Sequence, residues 1–282
     1  MTTDFATIAG NRIAFDCGGS GSPVLLLHGA FQTRHLWRTA GEALAREHAV
    51  IAPDLRGIGD SGPGDGRFDF ESVAAELASL MTVLGHERFA VAGHDLGGGV
   101  GYALAAMASR RVTRLVFMDM LLPGFGFEEA WVPRPNGQFL WFAALNAVPG
   151  VIETLLAGRE REYLELVLRG GFTANKAGIT DADLAAYATA YAKPGALAAL
   201  GGYFRAMWAN ADNDRASAAT KLPMPVLALG GEYSVGMGAA QSMRAVAAHV
   251  DAAIVPGAGH WLSEENPEFV IRTLQGFLAC RA

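Results

Sequence analysis

Residues 92–98 read AGHDLGG, and this stretch decides how the rest of the chain is interpreted. Gly93 precedes Asp95 by two positions and Gly97 follows it by two, which is the small-x-nucleophile-x-small pattern of a sharp turn from a strand into a helix. The apolar run RFAVAG before the turn and the helical segment after it supply the strand and the helix that the turn requires. An aspartate that only caps a helix would leave a similar pattern, so the assignment depends on whether catalytic partners occur elsewhere in the chain.

The first 120 residues alternate short apolar runs with helical segments. The runs are FATIAG, RIAFD, PVLLL, HAVIAPD, RFAVAG and RVTRLVFMD, and the first two flank a hairpin turn predicted at Gly10 and Asn11. After residue 220 the alternation returns with PVLALGG and AAIVPGAGH. Strands that alternate with helices predict an α/β fold with a doubly wound, mostly parallel sheet. Helices are predicted over residues 36–47, 70–84 and 96–109, near 239–249 and from Pro267 onward.

The middle of the chain, residues 121–219, has helical periodicity and almost no strand signal. Thr180 and Asp183 form a capping box at the start of one helix, GALAALGGYFRAMWAN is typical of another, and the polar stretch 210–219 indicates a helix end and a loop. A helical block between two strands of one sheet is expected to cover the carboxyl edge, where open α/β sheets bind ligands. The sequence therefore predicts a core of residues 1–120 and 220–282 with an inserted helical cap of residues 121–219.

Composition narrows the class of protein. With 282 residues, of which 51% are hydrophobic and 18% charged, the chain can bury a sizeable single core. A formal net charge of -6 and the lack of a Lys/Arg run argue against nucleic acid or a membrane surface as a partner. No apolar stretch approaches the ~18 residues of a membrane span, so a cytoplasmic enzyme is expected. Cys17 and Cys280 lack metal-site spacing and are expected to be reduced thiols, and without a phosphate or dinucleotide loop neither a metal nor a cofactor is expected.

Partners for Asp95 occur in the order that catalysis at such a turn requires. His260 lies in the glycine-rich stretch GAGHWLSEE after the last apolar run, where a general base is expected. The stretch HGAFQ, residues 28–32, follows the first buried run. The backbone N–H groups of Ala30 and Leu96 are therefore expected to form an oxyanion hole. These partners favour a nucleophile at position 95 over a simple helix cap.

An acid is needed to orient His260, and two candidates stand at strand ends. Asp119 ends RVTRLVFMD, 24 positions after Asp95, and Glu232 follows PVLALGG. Either carboxylate could accept a hydrogen bond from the imidazole. The residues alone leave both alternatives open.

A carboxylate nucleophile selects a different reaction from a serine nucleophile. A serine alkoxide attacks an acyl carbon, whereas a carboxylate displaces a leaving group from a saturated carbon and forms an alkyl ester. Water activated by His260 then attacks the carbonyl carbon of Asp95, and the oxyanion hole stabilises that second step. The predicted substrate therefore carries a strained or halogen leaving group on a saturated carbon.

The chain resembles the α/β-hydrolase superfamily over essentially its whole length. Within it, the chain looks like the aspartate-nucleophile branch, which holds epoxide hydrolases, haloalkane dehalogenases and haloacetate dehalogenases. The stretches ETLLAGREREYL, YAKPGAL, GGEYSVGMG and PGAGHWLSEE look most like the bacterial epoxide hydrolases of the Cif type. The resemblance implies an α/β-hydrolase fold, and it places the third member of the triad at Asp119, with Glu232 as the alternative.

The resemblance also exposes a departure in the cap. Alignment through ETLLAG places Trp141 where the Cif-type enzymes carry a histidine, and alignment through the last cap helix places Phe204 where they carry a tyrosine. Tyr203 is adjacent, although neighbouring residues of a helix point about 100° apart. Trp141 and Tyr203 are therefore predicted to be the ring-opening donors, and Phe204 is predicted to contact the substrate.

Epoxide hydrolysis is the predicted function, and two alternatives stay open. An indole N–H can bind a halide but cannot protonate an alkoxide, so Trp141 would also suit a haloalkane-type dehalogenase with the same triad. Against this, Leu96 stands where the haloalkane enzymes typically carry a tryptophan, and residues 97–101 lack the arginines of the haloacetate enzymes. A non-catalytic binding protein of the same fold is the second alternative. The glycines and the aromatic cap predict a bulky, apolar small-molecule substrate, and the cap is a candidate surface for oligomerisation.

Overall fold

The computed structural model describes residues 1–132 and 140–279 of the chain. In those residues, eight strands form one sheet: β1 (Thr2–Ile8), β2 (Asn11–Gly18), β3 (Ser22–Leu27), β4 (His48–Pro53), β5 (Phe89–His94), β6 (Val112–Met118), β7 (Val226–Gly231) and β8 (Val250–Val255). Their order across the sheet is β1-β2-β4-β3-β5-β6-β7-β8. Strand β2 is antiparallel to both of its neighbours, and the other pairs are parallel. The predicted α/β fold with a mostly parallel sheet is confirmed.

Helices follow most of the strands and fill the interval between β6 and β7. In chain order the α-helices are α1 (Arg38–Leu44), α2 (Phe70–Val83), α3 (Leu96–Met107), α4 (Trp141–Ala147), α5 (Val151–Leu156), α6 (Glu160–Leu168), α7 (Asp181–Tyr191), α8 (Ala196–Arg205), α9 (Met207–Ser217), α10 (Gly238–Val246), α11 (Leu262–Glu265) and α12 (Pro267–Ala279). Short 3-10 helices occupy Arg34–Trp37, Phe127–Trp131 and Lys176–Gly178.

Side chains of the central strands alternate between two apolar clusters, one on each face of the sheet. Leu25 and Leu27 of β3 belong to the cluster shared with α2, α3 and α10, whereas Val24 and Leu26 belong to the cluster shared with α1 and α12. Because helices cover both faces of the sheet, a polar side chain on either face would be buried away from water. This explains the nearly all-apolar sequences of these strands.

The first hairpin turns one residue earlier than the sequence predicts. Ala9 and Gly10 are the turn residues, with φ of 49° and 83°, and positive φ at two successive positions is the geometry of a type I′ turn. Asn11, predicted in the turn, instead begins β2 and is buried. Its side-chain NH2 group donates a 2.8 Å hydrogen bond to the buried carboxylate of Glu76, which accounts for the inward orientation.

Two helical segments differ from their predicted extents. The predicted helix 36–47 is divided into the 3-10 helix Arg34–Trp37 and α1. The segment predicted as one helix from Gly195 breaks near Ala206 into α8 and α9, and α9 continues to Ser217, through most of the stretch predicted as a helix end and a loop. Its polar residues are used inside the protein: the side chain of Asn210 accepts the N–H of Phe70 at 2.9 Å, which caps the start of α2.

Helices α4–α9 all lie between β6 and β7 in the chain, as the helical periodicity predicts. The predicted capping box at the start of α7 is confirmed, since the Thr180 side chain accepts the N–H of Asp183 and the Asp183 carboxylate accepts the N–H of Thr180. Three tyrosine side chains of this region, those of Tyr187, Tyr191 and Tyr203, are fully buried.

Two further sequence predictions concern membranes and thiols. Within the described ranges, no helix is long and apolar enough to cross a lipid bilayer. Cys17 on β2 is a free thiol, and Cys280 lies outside the described residues.

Candidate active site

Asp95 stands on a strained turn between β5 and α3. Its φ is 50°, a left-handed value that an L-residue adopts only under constraint from its surroundings. The turn closes so tightly that a Cβ atom at Gly93 would lie 2.0 Å from the carbonyl oxygen of Gly97. The side chain of Asp95 makes no capping hydrogen bond to α3. The predicted strand–turn–helix is therefore confirmed, and the alternative of a simple helix cap is excluded.

Three residues at or near the site have positive backbone φ angles. Among the described residues, the non-glycine positions with positive φ are Ala9 of the hairpin turn, Phe31, Asp95 and Asp119. Phe31 lies in the predicted oxyanion loop, and Asp119 follows β6. Strained backbone at three separate loops that meet at one place is characteristic of a functional site.

His260 lies between Asp95 and Asp119. Its Nδ1 is 2.7 Å from Oδ2 of Asp119, and its Nε2 is 3.5 Å from Oδ2 of Asp95. The predicted nucleophile, base and acid are thus brought together from the ends of β5, β6 and β8. The geometry gives the imidazole one fixed side, facing Asp119, and one side facing the reacting atoms.

Asp119 is held in place by donors other than His260. The N–H of Gly231 donates to its Oδ1 at 2.6 Å, and the hydroxyl of Ser234 donates to its Oδ2 at 2.6 Å. Glu232, the alternative acid, is exposed and accepts the N–H of Gly257 instead. The structure therefore brings Asp119, and not Glu232, to His260.

The oxyanion loop reaches Asp95 from the end of β3. The N–H of Ala30 donates to Oδ1 of Asp95 at 2.8 Å. Leu96 is the first residue of α3, where backbone N–H groups have no partner within the helix, and it lines the same cavity. His28 braces the loop, with Nδ1 2.8 Å from the carbonyl of Gly29 and Nε2 accepting the N–H of Leu55. The Ala30 N–H therefore contacts the carboxylate, and Leu96 borders the cavity above it.

Charges at the site are strongly coupled. Burial disfavours the imidazolium of His260, but its hydrogen bonds to Asp119 and Asp95, together with their charges, raise its pKa to about 10. Burial disfavours the carboxylate of Asp95, but the hydrogen bond and charge of His260 lower its pKa to about 2. At neutral pH the resting site therefore holds an ionised nucleophile beside a protonated histidine.

The described residues contain no group of three or more His, Cys, Asp or Glu side chains that could hold a metal ion, either at this site or elsewhere.

A cavity of about 440 Å³ opens above Asp95. The part of its lining that the structure describes contains three carboxylates and His260 but no lysine or arginine. Apolar and aromatic side chains make up most of the rest, and these are Leu96, Met120, Leu121, Phe127, Ala130, Leu140, Trp141, Phe142, Phe172, Phe204, Met207, Val235 and Trp261. Such a lining suits an uncharged, apolar ligand.

Of the three predicted substrate-contact residues between β6 and β7, two line the cavity and one does not. Trp141 and Phe204 line the cavity, as predicted. Tyr203 does not: its side chain is fully buried on the other side of α8, where its hydroxyl donates to the backbone carbonyl of Arg56 at 3.0 Å. Because that hydroxyl is already committed away from the cavity, the prediction of Tyr203 as a ring-opening donor is wrong. The 100° between successive helical side chains explains why Phe204, and not its neighbour, reaches the cavity.

Several residues at the site were missed by the sequence reasoning. Tyr233 lines the cavity, and Ser234 holds Asp119. Both lie in GGEYSVGMG, a stretch noted only for its resemblance. Glu265 accepts N–H groups on both sides of His260, from Gly259 and Trp261, at 2.9 Å. The two glutamates that follow GHWLS were the sequence signal for this role, because acidic residues so close to a catalytic histidine are expected to accept hydrogen bonds from its loop.

Comparison with known proteins agrees with this geometry. The sequence profile of the alpha/beta hydrolase fold matches residues 22–267. A soluble epoxide hydrolase from Corynebacterium sp. (strain C12) is 33% identical, covering 99% of this chain and 98% of that protein. A fluoroacetate dehalogenase from Burkholderia sp. is 28% identical, covering 93% and 88%. The crystal structure of the Cif epoxide hydrolase from Acinetobacter nosocomialis superposes with a TM-score of 0.92 at 27% identity, covering 98% of this chain and 88% of that one.

Proposed function

The chain belongs to the α/β-hydrolase fold family, and on that premise we propose that it is an epoxide hydrolase that works through an alkyl ester of Asp95. The observation that carries the proposal is a carboxylate on the strained elbow, with Oδ1 held by the Ala30 N–H and Oδ2 facing His260. The relative from Corynebacterium, similar over the whole chain, supports the same reaction. In this proposal residues 121–219 are the cap over a core of residues 1–120 and 220–282.

In the first step, Oδ2 of Asp95 attacks a carbon of the epoxide, the C–O bond of the ring breaks, and the ring oxygen takes a proton. Asp95 is ready for this step because it is ionised at neutral pH. The Ala30 N–H holds Oδ1, which fixes the direction in which Oδ2 points. The product is a neutral ester on Asp95 and a hydroxyl on the neighbouring carbon of the substrate.

In the second step, water attacks the carbonyl carbon of the ester. Alkylation has removed the negative charge of Asp95, which is one of the causes of the raised pKa of His260. His260 therefore releases the proton of Nε2, which restores the group that protonated the ring oxygen, and the neutral imidazole can accept a proton from water while Asp119 keeps Nδ1 protonated. Negative charge develops on Oδ1, which the Ala30 N–H already contacts, and in this proposal the Leu96 N–H is the second donor of the oxyanion hole. Collapse releases the diol and restores the carboxylate and the imidazolium.

Ring opening needs a proton donor, because an alkoxide is a poor leaving group. We assign this role to Tyr233, a residue of the described lining that is 66% exposed. Trp141 also lines the cavity, but an indole N–H only donates a hydrogen bond and does not release its proton. In this assignment Trp141 assists and Tyr233 supplies the proton.

The cavity supports a bulky, apolar epoxide as the substrate. Apart from His260, whose charge is already paired with those of Asp95 and Asp119, the described lining offers no cation to bind a carboxylate group, and Glu129 would repel an anion. A small anionic substrate such as a haloacetate therefore fits poorly. An aryl or alkyl epoxide would instead place its apolar part against the aromatic residues of the cavity.

One observation favours a second candidate function. Trp141 lines the cavity above a carboxylate nucleophile, and an indole N–H is a sufficient donor for a halide leaving group, which needs no proton. The relative from Burkholderia is a fluoroacetate dehalogenase. A haloalkane-type dehalogenase would use the same Asp95, His260 and Asp119.

The test measures both products from the same enzyme. The purified chain should convert styrene oxide to its vicinal diol and release little halide from a brominated alkane, and Asp95→Asn should abolish diol formation. Asp212→Asn, at an exposed aspartate outside the described lining of the cavity, is the matched control and should retain full activity. Halide release without diol formation would favour the dehalogenase, and neither product from a broad panel of epoxides and halides would refute both.

A further inference from the structure

Behind the catalytic residues, a chain of buried polar side chains runs from His260 to the cap helix α7. Nε2 of His94 lies 2.7 Å from the backbone carbonyl of His260, and Nδ1 of His94 lies 2.9 Å from the side-chain amide of Gln32. The other end of that amide lies 2.9 Å from the carboxyl group of Glu264, which also accepts the hydroxyl of Tyr187 at 2.8 Å. All four side chains of this hydrogen-bonded network are buried: His94, Gln32, Glu264 and Tyr187.

Hydrogen-bond rules limit how this network can be protonated. A backbone carbonyl only accepts, so Nε2 of His94 must carry a proton to bond to His260. The amide of Gln32 has one accepting end and one donating end. Its two neighbours, His94 and Glu264, must therefore supply one donor and one acceptor between them.

Both ways of satisfying the network require the same extra proton. If the oxygen of Gln32 faces His94, then Nδ1 must donate and His94 is an imidazolium. If the NH2 group faces His94, then His94 is neutral and Glu264 must donate as a protonated carboxyl. A neutral imidazole beside a carboxylate leaves one contact of the network unsatisfied and adds a buried negative charge, which is costly.

Glu264 is the better holder of the proton. Its Oε2 is buried and has no hydrogen-bond partner among the described residues, which is far more costly for a carboxylate oxygen than for the carbonyl oxygen of a carboxylic acid. Burial raises the pKa of Glu264 to about 7, whereas burial and the nearby charge of His260 lower the pKa of His94 to about 4. In this arrangement the buried N–H of Gly29 loses its 3.2 Å hydrogen bond to the oxygen of Gln32, a smaller cost than that of an unpaired buried carboxylate oxygen. The charged or titratable groups that act on Glu264 are Tyr187 and Asp183 of α7, Arg38 of α1 and, through Gln32, His94 of β5.

We propose that Gln32, His94 and Glu264 are positioning residues for His260 and that their network holds one buried proton, without which it no longer supports the catalytic loop. This inference rests on the proposed role of His260 as the general base. Loss of the proton breaks one link and brings a negative charge toward the site. That charge favours the imidazolium of His260, which cannot accept a proton from water, so ester hydrolysis slows at alkaline pH.

The decisive variant is Glu264→Gln. A glutamine at this position donates to the oxygen of Gln32 while His94 remains neutral, so it satisfies every link with no titratable proton. Glu264→Leu is the matched variant that removes the link altogether. Single-turnover hydrolysis of the ester formed from styrene oxide should slow in wild type at alkaline pH by roughly two- to tenfold, the value of one hydrogen bond. Glu264→Gln should not show this decline, and Glu264→Leu should be slow at every pH.

A second measurement does not depend on turnover. The infrared carbonyl band of a protonated carboxyl should be present in wild type at mildly acidic pH, should disappear at alkaline pH, and should be missing from Glu264→Gln. The band of Asp214, another buried acid, whose pKa is raised to about 8, titrates alike in both proteins and cancels in their difference at each pH. Identical infrared spectra of wild type and Glu264→Gln would overturn the buried proton. A spectral difference with identical pH profiles would overturn the positioning role. Failure of every epoxide to react would refute the proposed function, while the infrared result would still decide the proton.

Discussion

Replacing Asp119 by asparagine should slow hydrolysis of the alkyl ester about 10³-fold and leave its formation nearly unchanged. The N–H of Gly231 donates to Oδ1 of Asp119 at 2.6 Å, so the oxygen of the new amide must face that N–H. The NH2 group then faces Nδ1 of His260, which can only accept from it. The imidazole proton is thereby moved to Nε2, the atom that must take a proton from water.

Two costs set the size of this effect. Turning the amide so that it accepts from His260 leaves the buried N–H of Gly231 without a partner, which costs about 1–3 kcal/mol. Removing an opposite charge in direct contact shifts the pKa of an imidazole by roughly 1–3 units, or about 1.4–4 kcal/mol. The midpoints of these ranges total about 4–5 kcal/mol, and each 1.4 kcal/mol is about a factor of ten in rate.

Rapid-quench mass spectrometry separates the two steps, because the alkyl enzyme is heavier than the free enzyme by the mass of the epoxide. Ser234→Ala is the matched control: it removes the other donor to Oδ2 of Asp119 but keeps the charge, so hydrolysis should fall only a few-fold. The reasoning would be refuted by hydrolysis that slows less than about tenfold in Asp119→Asn, or by formation and hydrolysis that slow equally. A comparable loss in Glu232→Gln would transfer the role of the acid to that residue.

Three further predictions follow from the same geometry. His260→Gln should accumulate the alkyl ester, and wild type in isotope-labelled water should place the heavy oxygen in Asp95 within one turnover; if neither is found, no ester is formed. Tyr233→Phe should slow ester formation from styrene oxide by roughly 10²-fold but leave displacement of bromide from an alkane almost unchanged, whereas equal losses would mean that Tyr233 only binds the substrate. Glu264 has a pKa raised from 4.5 to about 7, so its favourable contribution is present below about pH 4.5 and is lost as the pH rises through about 7. A difference of about 2.5 units corresponds to about 3 kcal/mol, so denaturant titrations should find Glu264→Gln more stable than wild type by up to that amount at alkaline pH and similar to it in acid; equal stabilities at every pH would contradict the raised pKa.

The elbow and the general base could be predicted because local rules place them. Gly93 and Gly97 are needed by the turn itself, wherever the rest of the chain lies, and His260 follows the last strand. The acid was different. Asp119 and Glu232 both follow strands of the sheet, and only the side-chain directions at those strand ends show which of them contacts the imidazole. The residues alone could not decide this, and the resemblance selected Asp119.

The cap donors show where sequence reasoning fails. An alignment can identify a helix without fixing its rotation, and a change of one position moves a side chain by about 100°. Tyr203 therefore faces the carbonyl of Arg56, while Phe204 faces the cavity. The polar network of Gln32 and Glu264 was missed for a related reason, since it joins residues 232 positions apart. Apolar periodicity assigns polar residues to the surface, so buried polar pairs are invisible to it.

The charges of the site also impose an order on the two chemical steps. Asp95 is ionised partly because His260 is protonated, and His260 is protonated partly because Asp95 is ionised. While the nucleophile is free, the histidine therefore cannot act as a base, and activated water cannot compete with the carboxylate for the substrate. Alkylation consumes the charge that held the proton on His260, so the base becomes available only after there is an ester to hydrolyse. Asp119 orients His260 through Nδ1, and only the second step uses His260 as a base, which is why the loss of Asp119 should affect the second step so much more than the first.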